Sequence, residues 1–370
     1  MMNTLFKTTL INKMKLSNRF VRSATWMGLA EKDGRVTTKL IKTMTNLADG
    51  GVGLIISGHI YISTEGKASP LQVGLYDDKH IQGLSVMTNA VHEHNGKIIA
   101  QLAHAGTFAL DELIDNTPSA VSLFDGLSEL PRNELSTADI SKIVDAFANA
   151  AVRAKTAGFD GIQLHSAHGY LLSQFLSPYY NRRTDKYGGS VQNRTRIHLE
   201  IYEAIRKKVG SDFPILIKMN CQDFTETGLT LIESIQAAKI ISDAGFDAIE
   251  LSGGLLSNTR MSPCRMKINS KEKEAYFKEE AILFKKEINT PLILVGGIRS
   301  FETAEKLVNN NTADYISMSR PLIREPNLIN RWKNCNSTKS ECYSENLCFK
   351  PGFSGKGVYC VLKNKQKKSE

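Results

Sequence analysis

The feature that most constrains the fold is a repeating alternation of short apolar runs and longer amphipathic stretches. Eight runs rich in Ile, Val and Leu are predicted as strands, at 20–24, 53–57, 98–102, 161–165, 215–219, 248–251, 292–295 and 315–318. Helical patterns lie between them, at 37–48, 81–94, 140–156, 194–207, 230–244, 271–286 and 300–308. This alternation is typical of parallel strands joined by crossover helices, and strands that are apolar throughout are buried on both faces. For a chain of 370 residues we therefore predict the α/β class and a closed (β/α)8 TIM barrel.

Polar residues gather where each predicted strand ends. In a parallel barrel the carboxyl ends of all strands form one rim, and barrel enzymes carry their active sites there. The residues at these ends are Thr25 and Trp26, Gly58 and His59, Gln101 and His104, His165 and His168, Lys218 and Asn220, Ser252 and Gly253, Gly296 and Gly297, and Ser319 and Arg320. We therefore expect the site at this rim.

Two segments interrupt the alternation. Residues 107–135 are polar and contain Pro118 and Pro131, which predicts a long lid loop after the third strand. Residues 177–191 are rich in Arg, Tyr and Gly, and neither segment is large enough for a domain of its own. The organisation that follows is a barrel domain at 1–330 and a short Cys-containing C-terminal extension at 331–370.

The stretch His165-Ser166-Ala167-His168-Gly169-Tyr170 follows the fourth predicted strand and carries the most specific chemistry. Two imidazole N–H groups can hold one carbonyl oxygen, and a phenol beside them can deliver a proton. A single His is more often structural, but two at i and i+3 followed by Gly-Tyr favour a functional role. His165, His168 and Tyr170 are therefore catalytic candidates for polarising an unsaturated carbonyl compound, a reaction that needs a separate source of electrons.

Three segments give the chain a resemblance to a known family. They are 16–21, reading LSNRFV, 101–106, reading QLAHAG, and 165–193, reading HSAHGYLLSQFLSPYYNRRTDKYGGSVQN. With them the chain resembles the old yellow enzyme family of flavin-dependent ene-reductases and NADH:flavin oxidoreductases, over residues 5–328. Members are (β/α)8 barrels that hold FMN without a covalent bond. The resemblance therefore implies that 1–330 is an FMN-binding barrel.

The phosphate of FMN needs backbone N–H groups and a cation. Glycine-rich turns and helix N-termini after strands seven and eight supply them in many barrels. Gly296, Gly297, Ser319 and Arg320 stand at those places, and the resemblance implies the same assignment. The family usually has Gly where this chain has Ser319, a change that leaves backbone donation intact.

The flavin ring is expected to contact a second set of residues. Lys218 stands where the family carries Arg or Lys, and it would place a positive charge near N1 and O2, where reduction leaves negative charge. Gln101 can both donate and accept at the pyrimidine edge. The resemblance places Ala24, Thr25 and Gly58 beside O4 and N5, and adds His165 to the cofactor site.

Trp26 departs from the family pattern. Many members have Cys or Thr here, which hydrogen-bonds flavin O4, whereas an indole is bulky and donates through one N–H only. We include Trp26 among the cofactor-site residues with two alternatives. Either it lines the substrate pocket, or it turns away and the backbone alone tunes the ring.

The reaction implied by the resemblance is a ping-pong cycle. NAD(P)H reduces FMN and leaves, and the C=C bond of an α,β-unsaturated carbonyl compound, or of a related electrophile, is then reduced. The chain is thus expected to be an NAD(P)H:flavin oxidoreductase of the ene-reductase type that acts on a small molecule. The substrate, the choice between NADH and NADPH, and the oligomeric state stay open, a homo-oligomer being one alternative.

Four of the six cysteines fall within the last 36 residues, and in a cytosolic protein such clustering favours metal binding over disulfides. Relatives with a four-iron cluster carry C-x2-C-x2–3-C-x11-C after strand eight. Cys342, Cys348 and Cys360 align with three of those ligands, and Glu345 occupies the slot of the second. Because such clusters take four Cys ligands and a carboxylate is a poor replacement, no intact cluster is expected. The alternative is a cluster-dependent enzyme resembling 2,4-dienoyl-CoA reductase, although no second dinucleotide-binding domain is seen.

Composition bears mainly on location and partners. The net charge of +9 is spread along the chain apart from the basic run at 363–368, which is expected to be a solvated terminus. No signal peptide and no apolar run of about 18 residues is found, which predicts a cytoplasmic protein without a membrane segment. A tRNA dihydrouridine synthase would need a Cys in an active-site loop and an added RNA-binding domain, and neither is recognised in this sequence. No nucleic-acid partner is therefore expected.

Overall fold

A computed structural model of the chain describes residues 3–257 and 261–366. The described strands are β1 (Thr9–Ile11), β2 (Met14–Leu16), β3 (Phe20–Arg22), β4 (Leu54–Tyr61), β5 (Ile98–Ala103), β6 (Ser119–Ala120), β7 (Asn133–Glu134), β8 (Ile162–Ser166), β9 (Ile215–Asn220), β10 (Ala248–Ser252), β11 (Leu292–Val295) and β12 (Tyr315–Met318). Strands β3, β4, β5 and β8 to β12 form a closed barrel in which all neighbours are parallel. The predicted (β/α)8 barrel and all eight of its strands are confirmed.

Strand β4 extends furthest beyond its predicted bounds. It continues to Tyr61, and its register against β5 shifts between Ile56 and His59. Such irregularities lie often beside active sites, where they redirect side chains. Here the shift carries His59 to the rim of the barrel.

Helices lie between the barrel strands along the chain, and four more follow the last strand in the part of the chain that the structure describes. They are α1 (Thr38–Asp49), α2 (Ile81–Glu93), α3 (Thr137–Thr156), α4 (Leu171–Leu176), α5 (Val191–Val209), α6 (Leu231–Asp243), α7 (Lys278–Glu287), α8 (Phe301–Asn309), α9 (Arg320–Arg324), α10 (Leu328–Lys333), α11 (Lys350–Phe353) and α12 (Val361–Gln366). None of the helices in the described residues is long and apolar enough to cross a membrane.

Two helix predictions need correction at their boundaries. Helix α3 begins before residue 140 because Ser136 and Asp139 form a capping box, each side chain accepting the other's backbone N–H. The stretch 271–286 is not one helix, since it divides into a 3-10 turn at Lys271–Lys273 and helix α7. Ala275 lies between them with a φ of 50°, a left-handed conformation that ends a right-handed helix.

A hairpin that the periodicity did not predict closes the amino-terminal end of the barrel. Strands β1 and β2 pair antiparallel, and their residues Ile11, Met14 and Leu16 pack on Leu54 and Ile99 in one apolar cluster. These barrel residues lie early in their strands. The opposite end, where the strands finish, is therefore the one that can hold a site.

The predicted loop after the third strand is pinned at several points. Arg132 donates from both terminal nitrogens to the Asp111 carboxylate, at 3.0 and 3.1 Å. Arg183 donates to the carbonyls of Val121 and Leu135 at 2.9 and 2.6 Å. The first pair ties the loop to itself, and the Arg183 bonds join the loop to the Arg- and Tyr-rich segment that follows β8.

The C-terminal extension folds back over the loop after β3. The backbone N–H of Val358 donates to the carbonyl of Met27 at 2.8 Å. Lys363, in α12, donates to the carbonyl of Arg324 at 3.0 Å. Of the basic run at 363–368, residues 367 and 368 lie outside the described residues.

Candidate active site

A cleft opens at the carboxyl ends of the barrel strands. Every barrel strand, or the loop that follows it, contributes to its wall. Of the residues predicted for the site, the wall contains Ala24, Thr25, Trp26, Gln101, His165, His168, Tyr170, Lys218, Gly297, Ser319 and Arg320. Most of the residues predicted for the site therefore lie together in this cleft.

The catalytic candidates meet at one corner of the cleft. His165 is in β8, and its ring centroid lies 5.4 Å from that of His168 and 5.0 Å from that of Tyr170. His168 has a φ of 66°, and Gly169 follows with a φ of 91°. Positive φ is uncommon outside glycine, and this turn brings the chain back towards the cleft. The His168 backbone N–H donates to Asn220 Oδ1 at 3.1 Å, which holds the turn.

Burial sets the protonation of these groups. It lowers the pKa of His165 well below 6.5, and the neighbouring His168, His59 and Lys218 lower it further. The pKa of His168 is lowered in the same way, by burial first and then by Lys218 and His59. Burial raises the pKa of Tyr170 to about 12. At neutral pH the corner thus holds neutral imidazoles and a protonated phenol.

Hydrogen bonding leaves the imidazoles able to hold a ligand. His168 Nε2 lies 2.8 Å from Ser252 Oγ, which fixes that nitrogen and leaves Nδ1 for another partner. His165 Nδ1 is buried and has no hydrogen-bond partner in the described part of the chain. Buried polar atoms are rarely left unpaired, so these rings are suited to a polar ligand.

Lys218 is paired with a buried acidic residue that was not predicted from the sequence. Its Nζ donates to Ser23 Oγ at 2.9 Å and lies 3.3 Å from Glu250 Oε1. Glu250 is 0% exposed and accepts from Ser23, Ser317 and Gln163 at 2.7, 2.8 and 2.9 Å. Burial alone would raise the pKa of Glu250, but Lys218 and these three bonds lower it. The signal in the sequence was a lone carboxylate in the apolar run 248–251.

Gln101 belongs to the same buried network. Its Nε2 donates to Gln163 Oε1 at 2.7 Å, and Gln163 in turn donates to Glu250. Its backbone N–H donates to Ser57 Oγ at 3.1 Å. A continuous chain of hydrogen bonds thus links Gln101 to Lys218 across the floor of the cleft.

The far end of the cleft carries the residues predicted for the phosphate. Gly297 has a φ of +71°, and a Cβ there would lie 2.7 Å from the Tyr276 ring, so only glycine fits. Ser319 Oγ lies 2.8 Å from Thr25 Oγ1. Arg320 donates to the carbonyl of Arg265 at 2.8 Å, which orients its guanidinium.

Two predicted cofactor residues stand outside the wall of the main cleft. Gly296 is the residue before Gly297, and its carbonyl accepts from the backbone N–H of Tyr276 at 3.1 Å. Gly58 lines a smaller apolar pocket behind Trp26, and a Cβ on it would lie 2.7 Å from the Thr25 carbonyl oxygen. Both glycines thus permit close backbone packing next to the cleft.

Trp26 combines features of the two alternatives left open for it. Its ring lines the main cleft, while its Nε1 donates away to the carbonyl of Pro70 at 3.1 Å. The ring also packs on Phe353 of the C-terminal extension, with centroids 4.8 Å apart. Two further residues of the extension, Ser344 and Phe349, line the cleft and were not predicted.

The cysteines of the extension are all free thiols. Burial, and after it the neighbouring Cys342, raise the pKa of Cys348 to about 11. Cys360 Sγ lies 3.7 Å from a terminal nitrogen of Arg324. Within residues 3–257 and 261–366, no group of three or more His, Cys, Asp or Glu side chains is arranged to hold a metal ion.

The residues present fit a flavin mononucleotide. The cleft offers a buried cation at Lys218, an amide at Gln101 that can serve the pyrimidine edge, and the backbone cradle at Gly297. Arg320 supplies a second cation at the end where a phosphate would lie. An unpaired imidazole nitrogen at His165 is left for a further ligand.

Comparison with known proteins decides the family. Residues 4–338 match the NADH:flavin oxidoreductase / NADH oxidase family. The chain belongs to this family. It is therefore an oxidoreductase of the old yellow enzyme type, which works with FMN and NAD(P)H, and the resemblance seen in the sequence is confirmed.

Individual relatives agree with this placement. The chain is 39% identical over 329 residues to an NADH oxidase from Thermoanaerobacter brockii, which covers 87% of the chain but only 49% of that protein. It is 33% identical over 336 residues to an NADPH dehydrogenase from Clostridium acetobutylicum, covering 90% of the chain and 96% of the relative. The old yellow enzyme homologue from Zymomonas mobilis superposes with a TM-score of 0.77 at 27% identity, covering 95% of this chain and 98% of the other. The chain thus spans about half of the first relative and nearly all of the other two.

Proposed function

We propose that the protein uses NAD(P)H to reduce the C=C bond of an α,β-unsaturated carbonyl compound. The observation that carries this proposal is the corner formed by His165, His168 and Tyr170, where two neutral imidazoles and one protonated phenol share a wall of the cleft. FMN, when bound, would supply the hydride for the β-carbon of the alkene. Everything else in the reaction falls to the side chains of this chain.

His165 and His168 would hold the substrate carbonyl oxygen. Each neutral ring has one N–H donor, and a carbonyl oxygen has two lone pairs to accept both. As the β-carbon gains a hydride, negative charge builds on that oxygen, and donors already in place stabilise it. Ser252 supports this role by fixing His168 through Nε2, at 2.8 Å.

Tyr170 would deliver the proton that the α-carbon needs. With its pKa raised to about 12, the phenol keeps its proton at neutral pH until the substrate becomes basic enough to take it. Its ring lies 5.0 Å from that of His165, so donor and carbonyl grip are adjacent. The proton therefore has a defined origin on the protein.

Lys218 and Arg320 would hold the cofactor through charge. Lys218 would face the pyrimidine edge of the flavin together with Gln101, and Arg320 with the backbone around Gly297 and Ser319 would take the phosphate. We assign cofactor binding to the barrel at 1–330. The extension at 331–370 would complete one wall of the cleft through Ser344 and Phe349.

Product analysis tests the proposal. The FMN-loaded protein is incubated anaerobically with NADH or NADPH and 2-cyclohexenone, and the products are separated by gas chromatography. Cyclohexanone is the expected product, since hydride goes to the β-carbon. Formation of the allylic alcohol, or no turnover across a panel of enones, nitroalkenes, quinones and enoyl thioesters, would contradict it.

A further inference from the structure

His59 is a third imidazole in the wall of the cleft, and the reaction proposed above does not use it. It lies near the end of β4, beyond the register shift that begins after Ile56, and is 8% exposed. Its ring centroid is 6.3 Å from that of His165, with the planes at 90°, and 5.6 Å from that of Tyr170, with the planes at 31°. His59 thus lies beside His165, one of the two proposed carbonyl-binding imidazoles, and beside Tyr170, the proposed proton donor.

The ring of His59 has an unmet hydrogen bond. Its Nε2 is buried and has no partner within the described residues. Burial lowers the pKa of His59 to about 4, so the ring is neutral at neutral pH and offers one donor and one acceptor. A buried polar atom without a partner is destabilising unless a ligand supplies one.

His59 differs from other histidines with unpaired ring nitrogens because it lines the main cleft. His80 and His104 also have buried nitrogens without partners, but neither lines the main cleft. His80 packs its ring edge-on against Tyr76, at 4.8 Å, which accounts for it as part of an aromatic cluster. In the described part of the chain, only His59 and His165 combine an unpaired buried ring nitrogen with a place in the wall of the cleft.

One carbonyl oxygen cannot accept hydrogen bonds from all three imidazoles. Its oxygen has two lone pairs, and the donors of His165 and His168 use both. A third ring beside them therefore needs a different polar atom. An atom of the same small ligand can reach it, because the ring centroids of His59 and His165 are 6.3 Å apart.

We propose that His59 forms a second polar subsite, which selects alkenes flanked by two electron-withdrawing groups, such as enediones, quinones and maleimides. This inference rests on the proposed function and names its substrate class. One carbonyl is held by His165 and His168, and His59 holds the second across the double bond. In such a substrate the β-carbon of the first carbonyl is the α-carbon of the second, so the additional hydrogen bond also activates the alkene.

The test compares matched substrates on matched variants. The FMN-loaded wild type is assayed with 2-cyclohexenone and with 2-cyclohexene-1,4-dione, and so are His59→Phe, which keeps an aromatic ring, and His59→Asn, which keeps a donor and an acceptor. His80→Phe is the control, since it removes an unpaired imidazole outside the cleft. We expect His59→Phe to lower kcat/KM for the dione about tenfold, the size of one hydrogen bond. The mono-enone should change less than about twofold, and His59→Asn should recover part of the loss.

Binding of inert analogues gives a second readout that needs no turnover. Calorimetry of the oxidised holoenzyme compares cyclohexane-1,4-dione with cyclohexanone, and the wild type should bind the dione about tenfold more tightly. Equal affinity for the two ketones, or equal losses on both substrates in His59→Phe, would overturn the inference. Weaker FMN binding in that variant with an unchanged preference would assign His59 to the cofactor instead. If the wild type reduced neither substrate, the proposed function would fail, and the affinity ratio would still decide the role of His59.

Discussion

Lys218 Nζ lies 3.3 Å from Glu250 Oε1, and the two side chains are 5% and 0% exposed. The positive charge of Lys218 in the wall of the cleft is therefore partly neutralised by Glu250. Because reduction adds negative charge to the flavin, a nearby carboxylate opposes it and a nearby ammonium favours it. We therefore expect the pair to set how readily bound FMN accepts electrons.

Replacing Glu250 tests this relationship. Glu250→Gln keeps the shape and most of the hydrogen bonds but removes the negative charge, so the midpoint potential of the bound flavin should rise by roughly 30 mV or more, about 1.4 kcal/mol for a two-electron couple. Lys218→Met should lower the potential. Dye-equilibrated anaerobic titration measures both. Glu302→Gln, in an exposed ion pair with Lys271 and Lys306, is the control, and a potential that fails to rise in Glu250→Gln would refute the relationship.

Removing the phenol of Tyr170 should separate the two half-reactions. Tyr170→Phe should slow re-oxidation of the reduced enzyme by an enone about 100-fold, the contribution of one general acid, and leave reduction by NAD(P)H within about twofold. Rapid-mixing absorbance measurements follow each step. Equal losses in both would remove the proton-donor role.

The same step should be insensitive to moderate alkali. A phenol with the usual pKa of 10.0 is half ionised at pH 10, whereas Tyr170, with its pKa raised to about 12, keeps its proton there. The rate of enone reduction in wild type should therefore stay level from neutral pH to pH 10 and fall above it. A decline already centred on pH 10 would show an unshifted phenol.

The contact between Trp26 and Phe353 should govern the width of the cleft. Phe353→Ala removes a ring that is 67% exposed, and with it an aromatic contact of about 0.5–1.5 kcal/mol that holds the indole. KM for small enones should rise a few-fold, bulky enones should gain relative to small ones, and Trp26 fluorescence should report a looser environment. Tyr343→Ala, an exposed aromatic of the same extension, is the matched control. Similar effects in both variants would show that the Trp26–Phe353 contact has no specific role in setting the width of the cleft.

Local periodicity predicted the barrel well because its signals are short-range. Strands β11 and β12 have the predicted bounds, and the apolar runs of the others fall inside or next to their strands. The hairpin at β1 and β2 was missed since each strand has only three residues, too few to show a period. The division of 271–286 was missed because its cause is one left-handed residue, Ala275, in an otherwise helical pattern.

Site residues that are neighbours in the sequence could be predicted. Site residues that only folding brings together could not. His165, His168 and Tyr170 stand close in the chain and meet in the cleft. Glu250 was not predicted because its place in the site depends on pairing with Lys218, which lies in the neighbouring strand β9. Phe349 comes from the end of the chain, and nothing in its own surroundings in the sequence shows that the extension folds over the barrel.

The central claim is that this cleft holds FMN and passes electrons from a pyridine nucleotide to an activated alkene. The most direct test is anaerobic stopped-flow absorbance of the FMN-loaded protein, mixed first with NADH or NADPH and then with 2-cyclohexenone. The account predicts that the visible flavin absorbance is lost in the first mixing and restored in the second. A protein that does not retain FMN at micromolar concentration, or a reduced flavin that enones leave bleached, would contradict it.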